Sequence, residues 1–352
     1  MNTPRAFEWA IGEQRAKRPD GLNLIARKGT AEDLAECYAL HESLGLPYIG
    51  RSWRILPEMW RALLSKGAME LCLVTNRDMR IGSRIVSFSA ILFATDEVCS
   101  EARLKFPPYL GVELARQYLS RELPILNRKQ IAQANAGDGL NVIMCFEGWA
   151  HDGLSPEEFL TVRVKQSEAF HRGLSGYHIK EFLADPVGEE TSQWMLDAGA
   201  RLRRDYSNYF RKNLPKPEPS RRPCLVGLSK EEALAHPGVS IASLFVYTAP
   251  RFYFNRSQRV LLQHALLGET CEKLAASLSV SRWTVKKCWH AIYNRVTDID
   301  SDLLPPPIAC GAHISSRGAE RRRHLLNYLR QHMEELRPYE SLPQSRSNDR
   351  GS

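Results

Sequence analysis

The sequence lacks the features that would place it in a membrane or in an oxidising compartment. No apolar run in the 352 residues approaches the length of a membrane-spanning helix, and the N-terminus has no apolar stretch of signal-peptide length. The 8 cysteines are scattered singly, and no Cys–His pair is followed by a second pair at the spacing that a zinc site requires. These absences predict a cytoplasmic protein with reduced thiols and no metal site.

Several catalytic motifs are also missing. The chain has no Gly-x-Ser-x-Gly elbow, no phosphate-binding Gly-Lys-Ser loop, no His-Glu-x-x-His helix and no internal repeat. What it does have is a basic balance, with a net charge of +8 and a pI near 9.1. This excess favours an anionic partner, and a basic solvated surface is the alternative.

Proline clusters indicate how the chain is organised. Residues 214–223, LPKPEPSRRP, can form neither a helix interior nor a central strand, and a second cluster lies at 303–311. The length suffices for two domains with ordinary cores. We therefore expect an α/β domain over 1–210, a proline-rich linker over 211–224, a second domain over 225–337 and a disordered tail over 338–352.

The N-terminal part alternates between strand and helix patterns. Two apolar runs, 70–75 and 84–94, are joined by a polar turn as in an antiparallel hairpin. The other predicted strands are 22–26, 140–146 and 177–184, with an extended piece at 200–210. One predicted helix begins at Thr30. The others cover about 109–120, 125–135, 156–172 and 189–199.

This order of elements resembles the GNAT acetyltransferase fold, most recognisably at its end. There the fold has a helix, a glycine bend and a strand, and the matching positions are Trp194, Leu196, Ala198, Gly199, Ala200 and Leu202. The resemblance implies a mixed sheet flanked by helices. It also implies a loop after the fourth strand that directs backbone N–H groups to the pyrophosphate of acyl-coenzyme A.

The corresponding loop, EGWAHDGLSPEE at 147–158, departs from that family. Gly148 and Gly153 are too far apart for its Gly-x-Gly pattern, and Asp152 and Glu157 add negative charge where phosphate would bind. We therefore expect no cofactor, and acetyl-coenzyme A is not expected to bind in the usual mode. The domain is predicted instead to sense a small-molecule or protein effector.

Three polar residues of this domain are candidates for catalysis. Glu147 and His151 follow a strand end, where α/β folds place their ligands, and Tyr206 lies in the last extended piece. The alternative is that these residues are polar members of solvent-facing loops.

The most specific pattern lies at 254–296. Gly268 closes one helix, a short apolar helix follows, and Ser281 is the predicted N-cap of a third helix. One face of the third helix is apolar. The opposite face, which fits the major groove of DNA, carries Arg282, Trp283, Lys286, Lys287 and His290.

The segment resembles the helix-turn-helix of LuxR-type (GerE-like) bacterial regulators. The matching positions are Gly268, Thr270, Leu274, Ala275, Leu278, Val280, Ser281, Thr284, Val285 and Lys286. The resemblance implies that Lys286, Lys287 and His290 face the groove and that Thr284 lies near the DNA backbone. The alternative is a three-helix packing unit, or a protein-binding one, that never touches DNA.

These features predict a transcriptional regulator that binds double-stranded DNA through a small all-α C-terminal domain. A last helix over 315–337 has an apolar stripe that either packs on its own domain or joins two copies into a homodimer; its members are Leu326, Leu329, Met333 and Leu336. One alternative function is an acyl-coenzyme A-dependent N-acyltransferase localised on DNA. The other is an interaction protein whose helix-turn-helix contacts other polypeptides.

Overall fold

One mixed sheet organises the chain. The computed structural model describes residues 22–47, 51–80, 82–123, 125–150, 154–213, 216–306 and 314–340. The strands of this sheet follow the order β1-β2-β3-β4-β5-β7-β6. The neighbours β4 and β5 are parallel, and the other neighbouring pairs are antiparallel. The strands are β1 (Leu24–Lys28), β2 (Met69–Asn76), β3 (Ile85–Ala94), β4 (Leu140–Trp149), β5 (Ile179–Ala184), β6 (Arg201–Arg204) and β7 (Leu225–Ser229).

Helices cover both faces of the sheet and form the C-terminal part. They are α1 (Leu34–Ser43), α2 (Arg51–Arg54), α3 (Leu56–Lys66), α4 (Asp96–Leu104), α5 (Leu110–Ser120), α6 (Arg128–Ala136), α7 (Pro156–Leu174), α8 (Glu189–Asp197), α9 (Ser207–Asn213), α10 (Lys230–Ala235), α11 (Arg256–Leu266), α12 (Cys271–Ser277), α13 (Arg282–Ile299) and α14 (Ile314–Gln331). Short 3-10 helices occupy Ala31–Asp33, Pro219–Arg221, Ser240–Phe245 and Met333–Leu336.

The central strands β2, β3 and β4 are buried along nearly their whole length. Because successive side chains of a strand point to opposite faces, both faces of the sheet need a cover. Trp60 of α3 and Leu114 of α5 belong to the core on one face. Phe170 and Leu174 of α7 belong to the core on the other face. The mixed α/β sheet flanked by helices is thus confirmed.

The helix α7, which follows β4, has a well-defined start. The Ser155 hydroxyl accepts a hydrogen bond from the Glu158 backbone N–H (3.2 Å), and the Glu158 carboxylate accepts one from the Ser155 N–H (2.7 Å). Pro156 occupies the first helical position, where its missing N–H is not needed. This reciprocal cap fixes the point at which the chain leaves the sheet and turns across its face.

Two segments after β5 differ from the prediction. The extended piece expected over 200–210 is β6 followed by α9. Tyr206 turns the chain there with a φ of 53°, and the Asp205 carboxylate accepts a hydrogen bond from the Ser207 N–H (3.1 Å). The proline-rich segment 211–224 does not end the sheet, because β7 follows it and pairs with both β5 and β6. The sheet therefore extends beyond the expected domain boundary.

The C-terminal helices α11 to α14 share one apolar core. Of the predicted apolar stripe, Leu326, Leu329 and Leu336 are buried in this core, and Met333 is partly buried against it. The stripe therefore packs on helices of its own chain, which is the first of the two expected alternatives. A homodimer stays a prediction.

The residues after α14 attach this helical part to the sheet part. Arg337 is only 4% exposed, and its guanidinium donates to the carbonyl oxygens of Ser175 (2.8 Å) and Arg172 (2.9 Å) at the end of α7. The Glu340 N–H donates to the Ala132 carbonyl (3.1 Å). Because these contacts are extensive, a separate all-α domain is not confirmed. Residues 341–352 of the predicted tail lie outside the described chain.

None of the helices within the described residues combines the length and the apolar character that crossing a lipid bilayer requires.

The close packing around Gly148 in β4 leads to a first prediction. A Cβ atom at Gly148 would lie 2.7 Å from Leu40 Cβ and 2.7 Å from Phe88 Cε1, so the strand or α1 would have to shift. We expect Gly148→Ala to lower the free energy of unfolding by about 1–3 kcal/mol, measured by urea denaturation. Gly238→Ala is the control, since a Cβ there meets open space. Equal stability of the two variants would contradict the packing described.

Candidate active site

The strands β4 and β5 part in the middle of the sheet. Their parallel register runs from the pair Leu140–Ile179 to the pair Met144–Ala184, and the Asp185 N–H makes the last bridging hydrogen bond, to the Met144 carbonyl (3.0 Å). Beyond this point β4 continues beside β3 alone. The parting lies at the carboxyl ends of two parallel strands, which is where α/β sheets place their ligands. We call this opening the β4–β5 cleft.

A β-bulge in β4 coincides with the parting. Ala90 of β3 pairs with Phe146 and Ile91 pairs with Met144, so Cys145 is an extra residue without a partner in β3. The bulge resets the alternation of the strand. Phe146 packs in the core on the α5 face, and the side chain of the next residue, Glu147, therefore points to the α7 face.

Glu147 is a buried carboxyl group in this cleft. It is 8% exposed, and its carboxylate accepts hydrogen bonds from the Trp149 side chain and from the Val187 backbone N–H. Val187 follows β5, so the carboxylate spans the gap between the diverging chains. Burial raises the pKa of Glu147 to about 7, because the charged form loses hydration, and the two donors only partly oppose this effect.

Asp185, which directly follows β5, is a second buried carboxyl group. One carboxylate oxygen, Oδ2, accepts a hydrogen bond from the Leu110 N–H (2.6 Å) at the start of α5. The other oxygen, Oδ1, is buried and has no hydrogen-bond partner among the described residues. Burial raises the pKa of Asp185 to about 7, and the negative charge of Glu147 adds to this effect.

The backbone around this pair is held by a neutral histidine. The His41 Nδ1 atom lies 2.8 Å from the carbonyl oxygen of Glu147. Burial lowers the pKa of His41 to about 4, so the ring is uncharged near neutral pH and Nδ1 donates its proton to that carbonyl. The ring packs edge-on against Trp60 and Phe146. His41 therefore fixes β4 without adding a charge to the cleft.

Tyr206 lies on the α5 side of the cleft, beside a cavity of about 390 Å³. Its side chain is buried, and burial together with the charge of Asp185 raises the pKa of its phenol, which stays protonated. The Arg204 guanidinium lies 4.7 Å from the Tyr206 ring centroid and donates to the carbonyls of Ala102 (3.2 Å) and Phe106 (2.5 Å). These contacts hold the Tyr206 ring in place.

Partly exposed aromatic side chains form a partial cover on the α7 face of the cleft. The rings of Trp149 and Phe159 are 6.1 Å apart, and those of Phe159 and Trp194 are also 6.1 Å apart. Arg163 lies over the Trp194 ring, and burial lowers its pKa to about 10. Since Trp149 also donates to the Glu147 carboxylate, this aromatic cover is continuous with the buried pair.

The cleft can carry out acid–base chemistry near neutral pH. A buried carboxyl group with a pKa near 7 is protonated about half of the time there, so it can both accept and return a proton. Among the described residues, no cluster of three or more His, Cys, Asp or Glu side chains could hold a metal ion.

Two of the three catalytic candidates from the sequence lie in this region. Glu147 is in the cleft and Tyr206 is beside it, whereas His151 lies outside the described residues. Sequence reasoning missed Asp185. The signal was present, because Asp185 directly follows the apolar run of β5 and so occupies the same kind of strand end that singled out Glu147.

The residues predicted to contact DNA lie at the start of α13. Ser281 is its N-cap and accepts a hydrogen bond from the Thr284 N–H (3.0 Å). Arg282 forms an ion pair with Glu272. The Lys287 ammonium lies 3.8 Å from the Trp283 ring centroid, and Trp283 is 63% exposed. Lys286 and His290 are also exposed.

Comparison with known proteins gives matches in structure alone. No family model matches the chain, and no curated protein matches it in sequence. The solved structure of apo FdhC, a nucleotide-linked sugar GNAT, is similar with a TM-score of 0.33 and 7% identity, covering 64% of this chain and 96% of that chain. FeeM, an N-acyl amino acid synthase from uncultured soil microbes, has a TM-score of 0.32 and 10% identity, covering 60% and 94%. The AHL synthase LasI has a TM-score of 0.35 and 12% identity, covering 59% and 91%.

These comparisons correct the main function predicted from the sequence. The similar structures are a GNAT, an N-acyl amino acid synthase and an AHL synthase, and neither they nor any family model support a LuxR-type helix-turn-helix. The interpretation as a transcriptional regulator is therefore wrong. Short amphipathic helices with a cationic face also occur as packing units, so this local pattern did not suffice. Because the TM-scores are 0.35 or less, these structures do not indicate which reaction the protein carries out. Only the residues of the cleft can indicate it.

The raised pKa of Glu147 predicts how stability depends on pH. The folded state holds this proton up to about pH 7, whereas the unfolded chain releases it near its ordinary value of 4.5. Stability contributed by the protonated group is therefore present below the unfolded value and is lost as pH rises toward the folded value. We expect Glu147→Gln to gain stability relative to wild type between about pH 5 and about pH 8, on the order of 2–3 kcal/mol.

Urea denaturation across that pH range measures this difference. Glu168→Gln is the matched control, because Glu168 is a partly exposed carboxylate on α7 that pairs with Lys165 and Arg172. The control variant should follow the wild-type pH dependence. Parallel curves for wild type and Glu147→Gln would show that Glu147 is ionised at an ordinary pH.

Proposed function

We propose that this protein is an acyltransferase that moves an acyl group from a thioester to an amine in the β4–β5 cleft. The observation that carries this proposal is the buried Glu147 carboxyl group, whose pKa is raised to about 7 at the point where the two strands part. The resemblance of the element order to acetyltransferases suggests the reaction class. The residues proposed to carry out the reaction are those that lie in the cleft.

Glu147 acts as the general base. An amine enters as an ammonium ion, and the ionised Glu147 carboxylate takes one proton from it. The free amine then attacks the thioester carbonyl carbon, so that a C–N bond forms and the C–S bond breaks. The second proton of the nitrogen goes to the departing sulfur. The products are an amide and a thiol, and one proton remains on Glu147.

The backbone of β4 contributes donors to the same step. The residues after Met144 pair with β3 alone, and alternate backbone groups of an antiparallel strand point away from the paired side. N–H groups on that open side can polarise the thioester carbonyl, as fixed donors do in an oxyanion hole. The His41 hydrogen bond to the Glu147 carbonyl holds this stretch of β4 in place.

Pyrophosphate does not fit the start of α7. The first turn carries the carboxylates of Glu157 and Glu158, and the Glu158 N–H is already bonded to the Ser155 hydroxyl. A helix N-terminus binds phosphate through free N–H groups and without competing negative charge, whereas this first turn carries two carboxylates and one of its N–H groups is already bonded. The proposal is therefore limited to a thioester donor and assigns no role to coenzyme A.

We propose further that the chain has two units. The sheet and its helices, which include β7, would form the catalytic unit, and α11 to α14 with their own apolar core would form a helical unit. The partners of the helical unit stay a prediction.

Loss of the base provides the test of the function. We expect Glu147→Gln to lower kcat/KM by about 100-fold or more, since general-base catalysis contributes factors of this size. Thiol release from acyl thioesters of several chain lengths, incubated with a panel of primary amines, measures the reaction. The wild-type pH profile should rise with an apparent pKa near 7, and the variant should lack this rise.

Glu168→Gln again serves as the control, because it removes a carboxylate from α7 away from the cleft. It should retain wild-type turnover. Wild-type protein that releases no thiol with any donor and amine of the panel would contradict the proposed function, as would a Glu147→Gln variant that is as active as wild type.

A further inference from the structure

A groove between α11 and α13 is open to solvent, and it contains a cavity of about 580 Å³. Its lining is largely aliphatic and comes from α11, from α13 and from the turn that joins α12 to α13; these residues are Val260, Leu261, Leu278, Val280 and Val285. Val280 is 39% exposed, so the apolar lining reaches the mouth of the groove. A concave apolar surface of this kind is a binding surface for apolar side chains.

The rim of this groove is basic. Arg256 on α11 lines the groove, and Lys287 on α13 directly precedes the lining residue Cys288. Both cations are exposed, and neither forms an ion pair with a described residue. None of the described residues that line the groove is an Asp or a Glu. The groove therefore fits an apolar surface that carries a carboxylate at its edge.

The helix α7 has such a surface on the side that faces away from the sheet. Leu160 is 59% exposed and Val164 is 60% exposed, and because they are four residues apart they lie on one face of the helix. Glu157 precedes Leu160 by three residues, so its exposed carboxylate belongs to the same face. Glu157 forms no ion pair with any residue that the structure describes. We call this surface the α7 outer face.

The groove and the α7 outer face are both exposed in the same chain, so neither covers the other within one molecule. The occupant of the groove therefore comes from a second molecule. A phosphate backbone would pair with the cations of the rim but would leave the aliphatic lining in contact with water. An apolar helix face with an acidic edge satisfies both the lining and the rim.

We propose that the groove between α11 and α13 binds the α7 outer face of a second copy of this chain. Leu160 and Val164 insert between the two helices, and Glu157 lies against Lys287. One groove is a small contact, since stable interfaces bury on the order of 1,600 Å². A two-fold dimer forms the contact twice, because each copy supplies one helix and one groove. This association does not depend on the proposed catalytic function.

Leu160→Lys tests the proposal in the full-length protein. Sedimentation equilibrium over a range of concentrations should show a dimer for the wild type. The variant removes an apolar anchor and places a positive charge against the basic rim, so we expect the dissociation constant of the dimer to rise about 10-fold or more. Leu104→Lys is the matched control, because Leu104 is a 72% exposed leucine at the end of α4. The control should keep the wild-type dissociation constant.

Charge reversal tests which surfaces meet. Glu157→Lys and Lys287→Glu should each weaken the dimer, because each brings like charges together. The variant that carries both substitutions should recover most of the lost affinity, since the opposite charges then face each other again. All the substituted positions are exposed, so each variant should keep the wild-type circular dichroism spectrum. This measurement separates lost association from lost folding.

Wild-type protein that stays a monomer over the whole concentration range would overturn the proposal. A dimer with the same dissociation constant in wild type, Leu160→Lys and Lys287→Glu would also overturn it, because such a dimer would use another surface. Failure of the double variant to bind more tightly than either single variant would overturn the contact between Glu157 and Lys287. A monomeric wild type that binds a random-sequence DNA duplex, with weaker binding in Lys287→Glu, would assign the basic rim to nucleic acid and contradict the proposal.

Discussion

Hydrogen bonding between β4 and β5 ends at Met144, and the arrangement of the cleft depends on that ending. β3 continues to hold β4 on one side, while β5 leaves the sheet at Asp185 to reach α8. The bulge at Cys145 falls at the same position and directs Glu147 to the α7 face. Without the bulge, the alternation of the strand would turn this carboxyl group into the opposite core. The parting of the strands and the orientation of the Glu147 carboxyl group therefore both arise at Met144 and Cys145.

The burial of two carboxyl groups near the end of the β4–β5 pairing lowers the stability of the fold. Each group loses hydration, and the negative charge of Glu147 raises the pKa of Asp185 further. The structure offsets part of this cost with hydrogen bonds to Glu147 and with the Leu110 N–H bond to Asp185, but it leaves Asp185 Oδ1 without a described partner. Strain of this kind is retained where it serves a function, so the pair marks the site better than any sequence motif does.

The parts of the fold that sequence could predict are those fixed by local chemistry. β2 to β4 are long, mostly apolar runs, and α7 begins at a capping box, so these elements could be predicted. The position of β7 was not, because pairing between β5 and β6 is set by distant residues and a proline-rich segment precedes it. For the same reason the effect of the Glu147 charge on Asp185 could not be predicted from a chain that separates the two residues. The helix-turn-helix pattern misled because cationic amphipathic helices fit several functions.

The attachment of the C-terminal helices leaves the cleft open. Arg337 lies over the Tyr177 ring, 4.5 Å from its centroid, and Tyr177 donates to the Glu70 carboxylate (3.1 Å). Tyr177 lies two residues before β5, whereas Asp185 directly follows it, so the two contacts lie at opposite ends of one strand. The helical part is thus anchored at the amino end of β5 and the carboxyl pair lies at its carboxyl end. β5 pairs with β4 from Ile179 to Ala184 and with β7 from Glu181 to Ala184, so this paired strand joins the anchor to the cleft.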